Sequence, residues 1–276
     1  MNPEISSPQE PVTTAPPKAA DMPGALRGQA WLTLQTRQAL RLVRGRKPIR
    51  GKPAILGLVQ FAERLRLIWQ AARDDDPWAD WWLIRVHESV EASARYFEDR
   101  KTKLEDLLAR DPAMDITVAG SERPSRVPLQ FANPYAYRGA RLLGQYDTLV
   151  CMVLTVRRVG LLDSEGSDQV IRSCGRKLRS TFTVVHEYRF TGVSRELLVR
   201  GDAKSDAARA AMGEVPDEIV DGELRAPITP RKLRFPTAYA QHGTLQAARP
   251  LQAAHLPQAV PSRATPDPAH AGNDDP

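Results

Sequence analysis

Little in this 276-residue sequence points to covalent chemistry. Cysteine is nearly absent: Cys151 and Cys174 are the only two, and neither has Cys or His partners at metal-ligand spacing. Packed core thiols are therefore expected rather than a metal site. No apolar run approaches the roughly 18–20 residues that a membrane-spanning helix requires, and the start of the sequence lacks the charged opening and hydrophobic centre of a signal peptide. A soluble, cytoplasmic protein without a membrane partner is the expectation. Common enzyme signatures are missing too: there is no GxxxxGK[ST] phosphate loop, no GxGxxG after a strand, no GxSxG elbow and no HExxH. The five histidines are scattered. His87 and His186 each precede a glutamate, but adjacent helical residues point about 100° apart, so neither pair can jointly hold a metal or relay a proton. The reading is a non-enzyme with no cofactor and no small-molecule substrate.

Acid is missing from one stretch in particular. Between residues 37 and 52 lie Arg37, Arg41, Arg44, Arg46, Lys47, Arg50 and Lys52 without a single Asp or Glu. Residues 25 to 72 hold ten Lys or Arg against one acid, Glu63, a balance of +9, whereas the whole chain is only +6. The remainder is mildly acidic, so the charge imbalance is local. A local excess of this kind is how a phosphate-binding surface looks in sequence; a solvated, salt-masked surface is the alternative.

What is present suggests a mainly α protein with a small β-ribbon or hairpin, one helical domain over residues 25–225, and two tails. Residues 1–24 contain six prolines and residues 226–276 contain nine, with almost no apolar periodicity, so neither can offset the entropy of ordering and both are expected to be disordered. Leu58, Phe61, Leu65, Ile68 and Trp69 fall at helical spacing and predict an amphipathic helix. Asp76-Pro77 is a helix start, and no Pro or Gly follows until about Arg110. One helix of about 50 Å fits there, apolar and aromatic in its first half and charged in its second. All five tryptophans lie between Trp31 and Trp82, which suggests that the segment before this helix folds onto its start. Between Met114 and Phe131 the pattern turns to period two, and a β-hairpin is predicted. Asn133-Pro134 caps a helix to about Val159, Asp163 or Ser164 opens another through Val185, and Ser194 to Met212 reads as a further helical segment.

Some residues bear on chemistry. The Asp74-Asp75-Asp76 run has the carboxylates a hard cation wants, but a helix cap explains it more simply. Tyr135 and Tyr137 resemble strand-transfer nucleophiles, yet the His and Arg constellations such enzymes need are missing, and packing of the helix start is the plainer reading. The positive case rests on Trp31 to Arg37. In an extended strand, Thr33, Gln35 and Arg37 share one face and Leu32, Leu34 and Thr36 the other. The polar face would offer a hydroxyl, an amide and a guanidinium to base edges in a major groove. A ribbon built from two copies of the chain would place two such triplets there, with Arg41, Arg44, Arg46, Lys47, Arg50 and Lys52 gripping phosphates. Alternatively, residues 31–36 simply begin a helix.

Four phrases carry a family resemblance: Trp31-Leu-Thr-Leu-Gln-Thr-Arg-Gln-Ala-Leu-Arg-Leu, Gly57-Leu-Val-Gln-Phe, Asp75-Asp-Pro-Trp-Ala-Asp-Trp-Trp-Leu-Ile-Arg and Leu129-Gln-Phe-Ala-Asn-Pro-Tyr-Ala-Tyr-Arg-Gly-Ala. Together they resemble a family encoded in bacterial integrating conjugative elements, over roughly residues 25 to 225. That family is similar to the AcaB-like transcriptional activators of conjugative plasmids. The resemblance implies a ribbon-helix-helix type of fold and binding to DNA upstream of conjugation genes. A minimal ribbon-helix-helix unit does not fit, because the first helix stops at Gly45 and a connection of about ten residues follows. Either the motif is elaborated, or the true ribbon is the one near Val127 to Phe131, where Arg126 and Gln130 alternate with apolar residues. The combined expectation is a homodimeric regulator of conjugative transfer that binds double-stranded DNA. The runner-up is a non-enzymatic accessory protein of the transfer apparatus.

Overall fold

In chain order the elements are β1 (Ala30–Leu34), α1 (Arg37–Arg44), α2 (Leu58–Arg73), α3 (Pro77–Leu108), β2 (Ser125–Leu129), α4 (Pro134–Arg158), α5 (Ser164–Thr183), a 3-10 turn at Val184–His186, α6 (Arg195–Arg200), α7 (Ala203–Met212) and α8 (Asp217–Val220). They come from a computed structural model that describes residues 28–49, 54–110 and 113–231. The segment 1–24 and the part of 226–276 beyond residue 231, both expected above to be tails, lie outside these residues. The mainly helical class expected from the sequence is what is found, with one two-stranded sheet among the described residues.

The long helices start where side chains can satisfy free backbone N–H groups. Asp76 accepts from the Ala79 N–H at 3.1 Å and is followed by Pro77 at the first helical position. Asn133 accepts from the Tyr135 N–H at 2.7 Å, ahead of Pro134. Asp163 accepts from the Gly166 N–H at 2.7 Å. Apolar stripes then decide the packing: Leu58, Phe61, Leu65 and Ile68 of α2 are fully buried, and Phe61 meets Phe182 of α5 with ring centroids 4.9 Å apart. A Cβ at Gly139 of α4 would sit 2.6 Å from the Phe61 ring, so glycine there lets α2 and α4 approach. Trp78 and Trp82 are buried at the start of α3, and their indole N–H groups donate to Gly213 O at 2.9 Å and Val184 O at 3.0 Å. Trp31 does not join them; it is 47% exposed on β1. No described helix is long and apolar enough to cross a membrane.

The C-terminal helices are held to the α2–α3 junction by charge. Arg195 lies in the interior, where its guanidinium reaches Asp75 and Asp80 at 2.7 Å each and donates to the carbonyls of Val220 and Ile219 at 2.8 Å. Arg225 reaches the other oxygen of Asp80 at 3.1 Å. Beside this cluster the Tyr188 hydroxyl donates to Asp76 at 2.7 Å. Burial pushes the Asp76 carboxyl up to about 6.

Two sequence expectations need correction. The predicted hairpin within residues 114–131 does not form: residues 114–120 carry no strand, and β2 pairs antiparallel with β1 instead, in the register Ala30↔Leu129, Leu32↔Val127 and Leu34↔Ser125. Alternation marks a half-buried strand but says nothing about its partner. The segment Ser194 to Met212 is two helices, broken at Gly201, whose φ of 72° ends α6 in the left-handed region. The stop at Gly45 and the connection after it stand as expected.

Candidate nucleic-acid interface

Both candidate ribbons of the sequence reading turn out to be one. β1 and β2 come from the same chain, so the strand expected from a second copy is supplied internally. On each strand alternate residues turn inward. Leu34 and Leu129 are buried and Leu32 and Val127 half-buried, while Trp31, Thr33, Arg126 and Pro128 are exposed. In register, Thr33 lies opposite Arg126 and Trp31 opposite Pro128. The Arg126 guanidinium lies 5.1 Å from the centroid of the Trp31 ring, a cation–π contact that steadies an arginine otherwise free to sweep solvent. The outer face of the ribbon thus offers a hydroxyl, a guanidinium and an indole.

The triplet Thr33, Gln35 and Arg37 does not share a strand face, because β1 ends at Leu34. Gln35 lies in the two-residue link, where its side-chain oxygen accepts from the Ser121 N–H at 2.9 Å. Arg37 is the first residue of α1. Only Thr33 of the three is on the ribbon. The opposing reading, that residues 31–36 begin a helix, fails as well, since Thr36 is the cap that separates strand from helix and accepts from the Ala39 N–H at 3.2 Å.

Asp147 closes this junction. It is the only acid in α4 and only 3% exposed. Its carboxylate accepts from the Gln35 N–H at 2.6 Å, the Thr36 N–H at 2.9 Å and the Thr36 hydroxyl at 2.6 Å. A negative group at the start of α1 is favoured by the helix dipole as well as by these donors. Sequence reasoning named Arg126 only within the alternative ribbon near Val127 to Phe131, and it missed Asp147. A lone acid in the apolar run from Leu142 to Val156 was the available signal.

From the cap onward the cations line up. Arg37, Arg41 and Arg44 stand four and three residues apart on one side of α1, all exposed, while Ala39, Leu42 and Val43 face the core. Among the described residues none of these three arginines makes an ion pair. Arg46 is half-buried and pairs by its backbone with Ile55, at 2.8 and 2.9 Å, and Lys47 beyond it is exposed. Arg50 and Lys52 lie outside the described residues. The base of this connection is drawn tight. Gly45 has a φ of 69°, and a Cβ on Gly57 would sit 2.3 Å from the Gly45 nitrogen. The Gln60 amide bridges the two sides, accepting from the Gly57 N–H at 2.9 Å and donating to Arg44 O at 2.8 Å. From Arg37 to Lys47 the exposed charged side chains are all cationic.

The other residues singled out from sequence are placed differently. Asp75 and Asp76 are buried in the ion cluster and the helix cap, and no group of three or more metal-ligating side chains forms among the described residues. His87 of α3 is half-buried beside Arg138 and Glu91, and burial lowers its pKa. Tyr135 is buried, which pushes its hydroxyl up to about 12, whereas Tyr137 is 39% exposed and packs edge-on to Phe131 at 5.3 Å. Cys151 and Cys174 are free and buried, and burial raises both thiols.

Against known proteins, the profile of the family described as transcriptional regulator AcaB matches residues 22–233 of this chain. No curated protein matches it. Among solved structures, the crystal structure of selenomethionine-containing AcaB from uropathogenic E. coli aligns at 15% identity with a TM-score of 0.49, covering 70% of this chain and 94% of that one.

Proposed function

The chain belongs to the AcaB family of transcriptional regulators, and on that premise we propose that it regulates by binding double-stranded DNA of an integrating conjugative element and so controls conjugative transfer genes. The observation that carries the reading is the exposed, acid-free arginine row of α1 beside a ribbon whose outer face presents Thr33 and Arg126. Arg37, Arg41 and Arg44 are the phosphate contacts, joined by Arg46, Lys47, Arg50 and Lys52 along the connection. Thr33 and Arg126 are the groups facing base edges, a hydroxyl and a guanidinium being able to read a major groove. Gln35 serves the interface by fixing the Ser121 segment against the ribbon. The protein acts as a homodimer in which each copy presents a whole ribbon to one half-site.

The test is binding to duplex DNA from the protein's own element across a salt series, wild type against Arg37→Glu/Arg41→Glu/Arg44→Glu. Each neutralised phosphate adds about 0.9 to the slope of log K against log salt, so losing three contacts lowers that slope by about three, with far-UV circular dichroism unchanged. Wild-type protein that shows no salt-sensitive binding would overturn the proposal.

A further inference from the structure

We infer that Asp147 is a positioning residue for sequence discrimination: its buried carboxylate locks the ribbon to the basic helix in one relative orientation. The inference rests on the DNA-binding reading above. Only Gln35 and Thr36 separate β1 from α1, and both amides, together with the Thr36 hydroxyl, end on this single side chain. The ribbon carries the groups that face base edges, and α1 carries the groups that face phosphate. Phosphate contacts set where base-reading groups fall along the duplex, so the angle between the two elements decides whether Thr33 and Arg126 meet the bases while Arg37, Arg41 and Arg44 hold the backbone.

The chemistry of the joint requires a carboxylate. Three donors converge on two oxygens that both only accept. An asparagine of the same shape would aim its own amide hydrogens at the N–H of Gln35 or Thr36, so the joint would open with little change in volume. Among the described residues Asp147 makes no hydrogen bond or ion pair with a cationic residue of the proposed interface, and its replacement by asparagine leaves the arginine row of α1 in place. Loss of orientation therefore separates from loss of charge: non-specific affinity depends on the arginines alone, and discrimination depends on the joint.

The experiment uses full-length protein and two probes of equal length, a random duplex pool and the pool that wild-type protein enriches from it. Asp147→Asn should bind the random pool with the wild-type salt slope and lose roughly tenfold on the enriched pool, about the discrimination one good base contact supplies. Amide hydrogen exchange should accelerate at Gln35, Thr36 and the first turn of α1 and stay unchanged in α3 and α5. Thr36→Val removes the hydroxyl contact and the Ala39 cap together, so it should speed exchange at Ala39 as well, and Thr36→Ser should restore both; if Asp147→Asn does not fold, faster exchange of Thr36→Val at the Gln35 N–H, which bonds Asp147 and not Thr36, decides the matter. Equal losses on both pools with faster exchange throughout would reduce Asp147 to a stabilising residue and overturn the inference. So would unchanged exchange at Gln35 and Thr36. Wild type that binds neither pool would instead sink the DNA-binding reading, and the inference with it.

Discussion

Arg195 offers the sharpest test of how the interior is held together. Its side chain is 7% exposed and contacts Asp80, whose side chain is fully buried, and Asp75, at 12%. Five of its contacts lie between 2.7 and 3.4 Å, three of them to backbone carbonyls. Arg195→Met removes the cation but keeps much of the stem volume. What remains is Asp80 facing Arg225, an Asp75 carboxylate that has lost the guanidinium, and a Val220 carbonyl that has lost its donor, while the Ile219 carbonyl keeps the Gly222 N–H at 3.2 Å. Breaking a buried pair in this way costs about 3–5 kcal/mol, most of it the penalty of the charge left behind. In a domain of this size each kcal/mol lowers Tm by about 2–4 °C, so a fall on the order of 10 °C is expected by calorimetry. If the stranded charge is the cause, Asp80→Asn placed on top of Arg195→Met should recover part of the loss, although Asp80→Asn alone is destabilising. A double variant whose losses simply add, or an Arg195→Met fall of less than about 1 kcal/mol, would refute the assignment of this cluster as a dry, coupled network.

Two further outcomes follow from particular contacts. Asp76 titrates near 6 in the folded chain and near its ordinary 3.8 when unfolded. Its contribution to stability is therefore full below about 3.8 and is lost as pH rises through 6. Asp76→Asn should gain on wild type by about 2 kcal/mol in urea unfolding between pH 4 and pH 7.5, and a pH-independent difference would contradict this. Gly57→Ala places a methyl against backbone atoms of Gly45, Arg44 and Val43 at 2.3 to 2.7 Å. It should cost about 1–3 kcal/mol and speed amide exchange at Arg46 and Ile55, whose backbone pairing closes this connection; a silent substitution would show that the pinch can spread.

Much of the fold was legible because its helices obey local rules. The cap at Asp76, the proline at 77 and the unbroken run to Leu108 needed only neighbours in sequence, and so did Asn133-Pro134 and the stripe from Leu58 to Ile68. What stayed hidden was every decision made over distance. Period-two alternation identified β2, but only the fold could say that its partner is β1 rather than residues 116–118. The Asp74-Asp75-Asp76 run was rightly read as a cap at Asp76, yet the role of Asp75 depends on an arginine 120 residues later. The arginine row of α1 was legible as charge, and its exposure agrees. The reading of Gln35 and Arg37 as strand-face residues failed because the chain turns at Thr36, which caps α1 and is itself held by a carboxylate from α4.

The pairing of β1 with β2 has a kinetic side. Leu34 meets Ser125 and Ala30 meets Leu129, so the ribbon closes across about ninety residues that include α1, α2 and α3. A contact of such separation forms only once the intervening helices have shortened the distance its ends must search. During synthesis the arginine row of α1 is complete long before the strand that pairs with β1 has been made. A nascent or partly unfolded chain can therefore carry the charge of a polyanion binder without the surface that would tell one sequence from another. On the DNA-binding reading proposed above, discrimination would follow the charge and not accompany it.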